Sequence, residues 1–147
     1  MKKLAVFAVV LALLVIGCGL NQNPPSYIKQ LSAYKEGQDG FVAYFILADS
    51  SGAMTTGSGS VTIKVTEKSY STDKETELYS NTRSITPDNF RKTKIGTGAF
   101  ERDAIICSFG RITTSSFSRK PKESSATVKI EFTSNNKKLQ GEDTFFW

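Results

Sequence analysis

Ala126, Thr127, Val128, Lys129, Ile130, Glu131, Phe132 and Thr133 alternate apolar and polar side chains without a break. Successive side chains of an extended chain point to opposite faces, so this period of two gathers Ala126, Val128, Ile130 and Phe132 on one side. One buried face and one wetted face mark an antiparallel sheet. Ser134, Asn135, Asn136 and Lys137 follow, and asparagine tolerates the left-handed backbone that a tight turn needs. Residues 139–147 then return as a partner strand ending in Phe145, Phe146 and Trp147. By the same alternation Phe146 faces away from its two aromatic neighbours, so the tail is expected to close the core rather than trail from it.

The earlier segments follow the same pattern. Val61, Ile63 and Val65 alternate with Thr62, Lys64 and Thr66, a second half-buried strand. Residues 41–48 are apolar at every position, which predicts a central strand covered on both faces, with Phe41, Ala43, Phe45 and Leu47 facing one way. Gly37, Gln38, Asp39 and Gly40 turn the chain before it, and Asp49, Ser50, Ser51 and Gly52 turn it after. On this reading the 41–48 and 61–66 strands form one hairpin. Residues 27–34 predict a first edge strand, residues 67–74 a polar loop, and Leu78, Tyr79 and Ile85 a weaker apolar stretch. Thr86 and Pro87 suit the cap and first position of a single helical turn, which Phe90 would pin to the core. Gly96 and Gly98 break the chain again, residues 104–109 are apolar, and residues 113–125 read as a long Ser/Thr-rich loop interrupted by Pro121.

Six or seven strands without a sustained helical period predict an all-β fold, an antiparallel β-sandwich spanning residues 27–147. Residues 41–65, an apolar strand, a D-x-x-G turn and an alternating strand, resemble one hairpin of bacterial immunoglobulin-like and fibronectin-III-like domains. The resemblance implies a sandwich of that type.

The N-terminus reads as an export signal. Lys2 and Lys3 precede an unbroken apolar run over residues 4–16, which falls short of the ~20 residues needed to span a bilayer as a helix. Val15, Ile16, Gly17 and Cys18 resemble the lipobox of bacterial lipoproteins. That resemblance implies cleavage between Gly17 and Cys18, removal of signal peptide 1–17, and thioether-linked diacylglycerol on Cys18, usually with a further acyl chain on its amine. Two or more chains anchor a protein stably, whereas one holds it only marginally. The alternatives are an ordinary secretory signal cleaved elsewhere, with Cys18 an incidental thiol, or an N-terminal helix that stays in place. Gly19 stands where an aspartate would resemble an inner-membrane retention signal, which implies the outer membrane in a two-membrane cell. In a one-membrane cell the implied address is the outer face of the plasma membrane. Residues 18–26, the lipidated cysteine and a segment bearing Asn21, Asn23, Pro24 and Pro25, are expected to tether the domain.

Composition narrows the chemistry. Histidine is absent, which removes Ser-His-Asp and Cys-His catalysis and the usual zinc and copper sites. No metal or other cofactor is expected. With Cys18 acylated, Cys107 has no cysteine to pair with, so no internal disulfide is expected, and its apolar neighbours Ala104, Ile105 and Ile106 mark it as a buried small hydrophobe. The formal charge of +5 falls by two when Lys2 and Lys3 are removed, too little to argue for nucleic acid. The basic residues are nevertheless unevenly placed. Arg91, Lys92, Lys94, Arg102, Arg111, Arg119, Lys120 and Lys122 stand against only Glu101 and Asp103 over residues 91–122. With Phe90, Phe100 and Phe117 between them they form a candidate surface for an anionic lipid, a glycan or an envelope protein. The competing reading is that these cations decorate exposed loops and edge strands. Glu101 and Asp103, two apart on one strand face, are the nearest thing to an acid/base pair; a solvated edge explains them equally, and so does a turn for Asp49 and Gly52 as against a calcium loop. The expected function is therefore a membrane-anchored, non-enzymatic binding or structural domain at the cell envelope. The alternative is a hydrolase acting on envelope glycan through carboxylates alone.

Overall fold

A computed structural model describes residues 23–147. The signal, its cleavage site, Cys18 and the tether as far as residue 22 lie outside the described residues. Strands make up 63% of the described residues and helical turns 7%, in two antiparallel sheets that do not close into a barrel, so the all-β sandwich expectation holds.

The first sheet contains β1 (Tyr27–Lys35), β2 (Gly40–Ala48), β3 (Met54–Thr55), β6 (Phe90–Ile95) and β7 (Arg102–Thr113). Its order is β1-β2-β7-β6, with the two-residue β3 alongside β2. The second contains β4 (Gly59–Lys68), β5 (Glu75–Ile85), β8 (Ser125–Ser134) and β9 (Lys137–Phe146), in the order β5-β4-β8-β9. Between these sheets lie the residues that alternation selects. Val61, Ile63 and Val65 sit opposite Phe132, Ile130 and Val128 in the β4–β8 register, and Ala126 sits opposite Phe145 in the β8–β9 register. All of them are buried together with Phe41, Ala43, Phe45, Leu47 and Cys107.

The β8–β9 turn has the expected left-handed pair, Asn135 (φ 48°) and Asn136 (φ 63°). β2 is central, as expected from its unbroken apolar run; its outward residues Ile46 and Ala48 are buried too, while Val42 and Tyr44 are only half covered. Edge strands β1 and β9 close one side of the sandwich. Ile28 lies over Gly141, where an added Cβ would sit 3.1 Å from the Ile28 Cγ2, and the Ala33 N–H donates to Asp143 Oδ2 at 2.8 Å.

Several expectations need correction. The 41–48 and 61–66 strands are not one hairpin. The D-x-x-G turn, with Gly52 at φ 88°, returns the chain only as far as β3, after which it crosses to the other sheet to begin β4. The apolar β2 needs a partner layer over its inner face, and β4 supplies that layer rather than an in-plane neighbour. Residues 67–68 continue β4 instead of opening a loop, and residues 75–85 form a full strand. Residues 90–95 form β6, so the described residues contain nine strands. The single helical turn is present as a 3-10 turn, Pro87–Asn89, with the Thr86 N–H donating to Asn89 Oδ1 at 2.7 Å, and Phe90 packs edge-on against Phe45.

The chain enters at one end of the sandwich, here the near end, and residues 23–26 are held there. The Ser26 N–H donates to the Ala48 carbonyl at 2.7 Å, Thr55 Oγ1 donates to the Asn23 carbonyl at 2.8 Å, and Asn23 Nδ2 donates to Asp49 Oδ2 at 3.1 Å. Because antiparallel strands reverse direction, the near end also collects residues 49–53, 86–89, 96–101 and 135–136. The far end collects residues 36–39, 69–74 and 114–124 and the C-terminal Trp147.

Candidate functional site

The candidate basic surface does not converge. Arg91, Lys92 and Lys94 project from edge strand β6, and Arg102 begins β7 toward the near end; Arg111 lies toward the far end of β7, and Arg119, Lys120 and Lys122 lie in the far-end loop. Residues consecutive in sequence are carried to opposite ends because β7 runs the length of the sandwich. Much of the charge is also matched. Lys94 lies 3.4 Å from Glu101 and 3.5 Å from Asp103, Arg102 donates to Gln30 Oε1, and Arg111 pairs with Glu36 and Asp39 across the β1–β2 turn. Arg91, Lys92, Lys120 and Lys122 are exposed and make no side-chain ion pair among the described residues. Exposed pairs of this kind contribute ~0–1 kcal/mol each, so they shape the surface more than they stabilise the fold.

Glu101 and Asp103 do share a face, and Lys94 stands between them. A carboxylate pair bridged by an ammonium on an open edge forms a solvated ion-pair cluster and not an enclosed cleft in which a substrate could meet an acid and a base.

Arg119 is different. It pairs with Glu67, which is fully buried at the end of β4 and also accepts the Lys122 N–H at 2.9 Å and the Glu123 N–H at 3.2 Å. Burial alone would raise the Glu67 pKa, but the two backbone donors and Arg119 outweigh it and hold the carboxyl below its ordinary value. Glu67 thus fastens the 114–124 loop over the far end. Local pattern marks Glu67 as polar and exposed, and nothing in the sequence pairs it with Arg119.

Asp49 plays the matching part at the near end. Its carboxylate accepts the Ser51 hydroxyl at 2.6 Å, the Asn23 amide, the Ser51 N–H at 2.8 Å and the Ala53 N–H at 3.1 Å. These donors, led by the Ser51 hydroxyl and Asn23, lower its pKa to about 2. Oδ1 is committed to the turn and Oδ2 to Asn23, and no group of three or more acidic or cysteine side chains able to hold a metal occurs among the described residues.

Cys107 is fully buried in the core, as expected. Burial raises the thiol pKa, partly offset by Arg83, so the sulfur stays protonated and unreactive near neutrality. Nothing in the local sequence pattern marks Arg83 as an inward-facing residue. It points inward from edge strand β5, its guanidinium lies 4.7 Å from the centre of the Phe109 ring, and Nη2 donates to the Ser108 carbonyl at 2.8 Å. An inward charge on an edge strand discourages pairing with another chain.

The outer face of the second sheet carries a shallow hollow lined by Thr62, Lys64, Lys129, Glu131, Gln140 and Glu142. Thr62 and Thr82 hydrogen bond across the strands at 2.8 Å, Lys129 pairs with Glu75 at 2.5 Å and Lys138 with Glu131 at 3.1 Å. It is a polar face on which most of the charges are paired. No family model matches the chain, and no curated protein or solved structure matches it.

Proposed function

We propose that this is a membrane-anchored lipoprotein whose domain is a non-enzymatic binding or structural β-sandwich of immunoglobulin-like or fibronectin-III-like type at the cell envelope. The observation that carries the reading is the N-terminal sequence: Lys2 and Lys3, the apolar run over 4–16, and Val15, Ile16, Gly17 and Cys18 in lipobox order. The position of the domain's entry supports it, since a chain arriving at one end of the sandwich leaves the far end and both outer faces free for a partner. The strand orders β1-β2-β7-β6 and β5-β4-β8-β9 support the fold type, because they follow the A-B-E-D and C′-C-F-G sheets of immunoglobulin-like domains, β3 being a short addition.

The carboxylate hydrolase is the weaker reading. It requires two carboxylates ~5–9.5 Å apart flanking a bound sugar, one of them with a raised pKa. Glu101 and Asp103 share Lys94, and Glu131 is held below its ordinary pKa by Lys138 and Gln140. The test is metabolic labelling with a fatty acid in an expressing bacterium, with the intact mass of the purified product. Incorporated label and a product beginning at acylated Cys18 are expected. A product that starts elsewhere or carries no acyl chain would refute the reading.

A further inference from the structure

We infer that the near end of the sandwich rests on the lipid bilayer, with the Phe100 ring seated in the membrane interface. The inference rests on the lipoprotein reading and adds an orientation to it. Five peptide steps from Cys18 to Asn23 reach at most ~18 Å, and Asn23 is already bound to the near end through Asp49 and Thr55. The twelve residues of β7 span ~40 Å from one end to the other. An anchored Cys18 therefore keeps the near end against the bilayer and sets the far end in water.

Phe100 is the large apolar side chain that this end presents. At 85% exposure it is the most open large hydrophobic side chain among the described residues. It sits at the tip of the β6–β7 hairpin in the 3-10 turn Gly98–Phe100, which is held by local bonds alone: the Phe100 N–H donates to Thr97 and the Glu101 N–H to Gly98. Gly96 (φ 85°) and Gly98 (φ 57°) give the tip a backbone that projects the ring away from the sheet. Exposed Tyr27 stands at the same end; Tyr favours the boundary between headgroups and acyl chains, and a Phe ring buries on the apolar side of that boundary. Lys92, Lys94 and Arg102 lie just behind the tip, at headgroup level. Lys94 is matched by Glu101 and Asp103, whereas Lys92 has no ion pair among the described residues and neutral Gln30 leaves the charge of Arg102 in place, so anionic headgroups are expected to reinforce the seating of the ring and high salt to loosen it in part.

The test uses the full-length acylated protein in phosphatidylethanolamine–phosphatidylglycerol vesicles, labelled with an environment-sensitive fluorophore at Phe100→Cys or, for the far end, at Phe146→Cys. Both positions are exposed, so neither substitution threatens the fold, while acylation blocks Cys18 and burial shields Cys107. The expected result is blue-shifted emission, quenched by nitroxide lipids, from the label at position 100, with the label at position 146 unchanged from water. An aqueous signal at position 100 from protein that is acylated and floats with the vesicles would overturn the orientation and leave the lipoprotein reading standing. A lipid signal at position 146 would overturn it too. Protein whose mass shows no acyl chain would remove the lipoprotein reading, and the orientation with it.

Discussion

The two ends of the sandwich are closed by different chemistry. At the far end Phe145 stacks on Phe41 with ring centres 4.7 Å apart, Trp147 meets Phe145 edge-on at 4.8 Å, and Phe117 from the 114–124 loop completes the cluster. At the near end the Asp49 turn and the docked residues 23–26 do the closing with hydrogen bonds, and an aromatic side chain is left outside. Phe100, Phe145 and Phe146 are chemically identical, so composition does not separate core from surface. Strand parity and turn position do: Phe145 is 3% exposed and its neighbour Phe146 68%.

The widest gap between the ends comes from removing the aromatic closure. Deleting residues 144–147 strips Phe145 and Trp147 from the cluster, and Phe145→Ala alone should cost ~3–5 kcal/mol. Set against a total of ~5–15 kcal/mol, the deletion should unfold the domain or nearly so, as read by thermal melting. A midpoint equal to wild type would mean that the tail is a binding patch and the two ends are alike.

Glu67→Ala removes the far-end fastening and leaves Arg119 and two backbone N–H groups without their acceptor. Hydrogen bonds to charged groups contribute ~1.5–3 kcal/mol, and a loss of that order is expected in denaturant melts, with faster proteolysis in the 114–124 loop. Equal cleavage of wild type and variant would place the loop's restraint elsewhere.

Acid should weaken both ends, and Asp49 the near one. The folded-state pKa values of Asp49, Glu67, Glu75 and Glu131 are all depressed, so the unfolded chain takes up protons first. The stability these groups contribute is present above ~pH 5 and is lost as pH falls toward about 2, the Asp49 value. Melting temperature should therefore be flat near neutrality and decline below pH 5, with a shallower decline in Asp49→Asn. A midpoint that rises on acidification would contradict the sign. The smallest effects belong to Phe100→Ala and Phe146→Ala, both expected within ~0.5 kcal/mol of wild type in thermal melts of the domain in water. A larger loss at either would show that the ring packs in solution.

The sequence made the self-sufficient strands legible. β8 and β4 bury one face each and so show clean alternation, β2 shows its central place as an unbroken apolar run, and Asn135 and Asn136 announce their turn. β6 was invisible because an edge strand needs few inward apolar residues: Phe90, Arg91, Lys92, Thr93, Lys94 and Ile95 are apolar only at the ends. The crossing from β2 to β4 was misread as a hairpin because a D-x-x-G turn looks the same locally whether the next long strand lies beside the first or in the opposite sheet. The bond between Glu67 and Arg119 and the scattering of the basic residues depend on which strands pair, and local pattern does not carry that. Cys18, on which the proposed function turns, is legible as a motif because a processing signal would be read before any fold exists and so depends on no tertiary context.

Fractionation of cells producing wild type or Cys18→Ala tests most directly that lipid on Cys18 is the link to the membrane. The account predicts that wild type sediments with membranes and is released only by detergent, whereas Cys18→Ala is recovered either as soluble domain with an unchanged melting temperature or as uncleaved precursor. A Cys18→Ala protein that is cleaved, folded and still membrane-bound would contradict it.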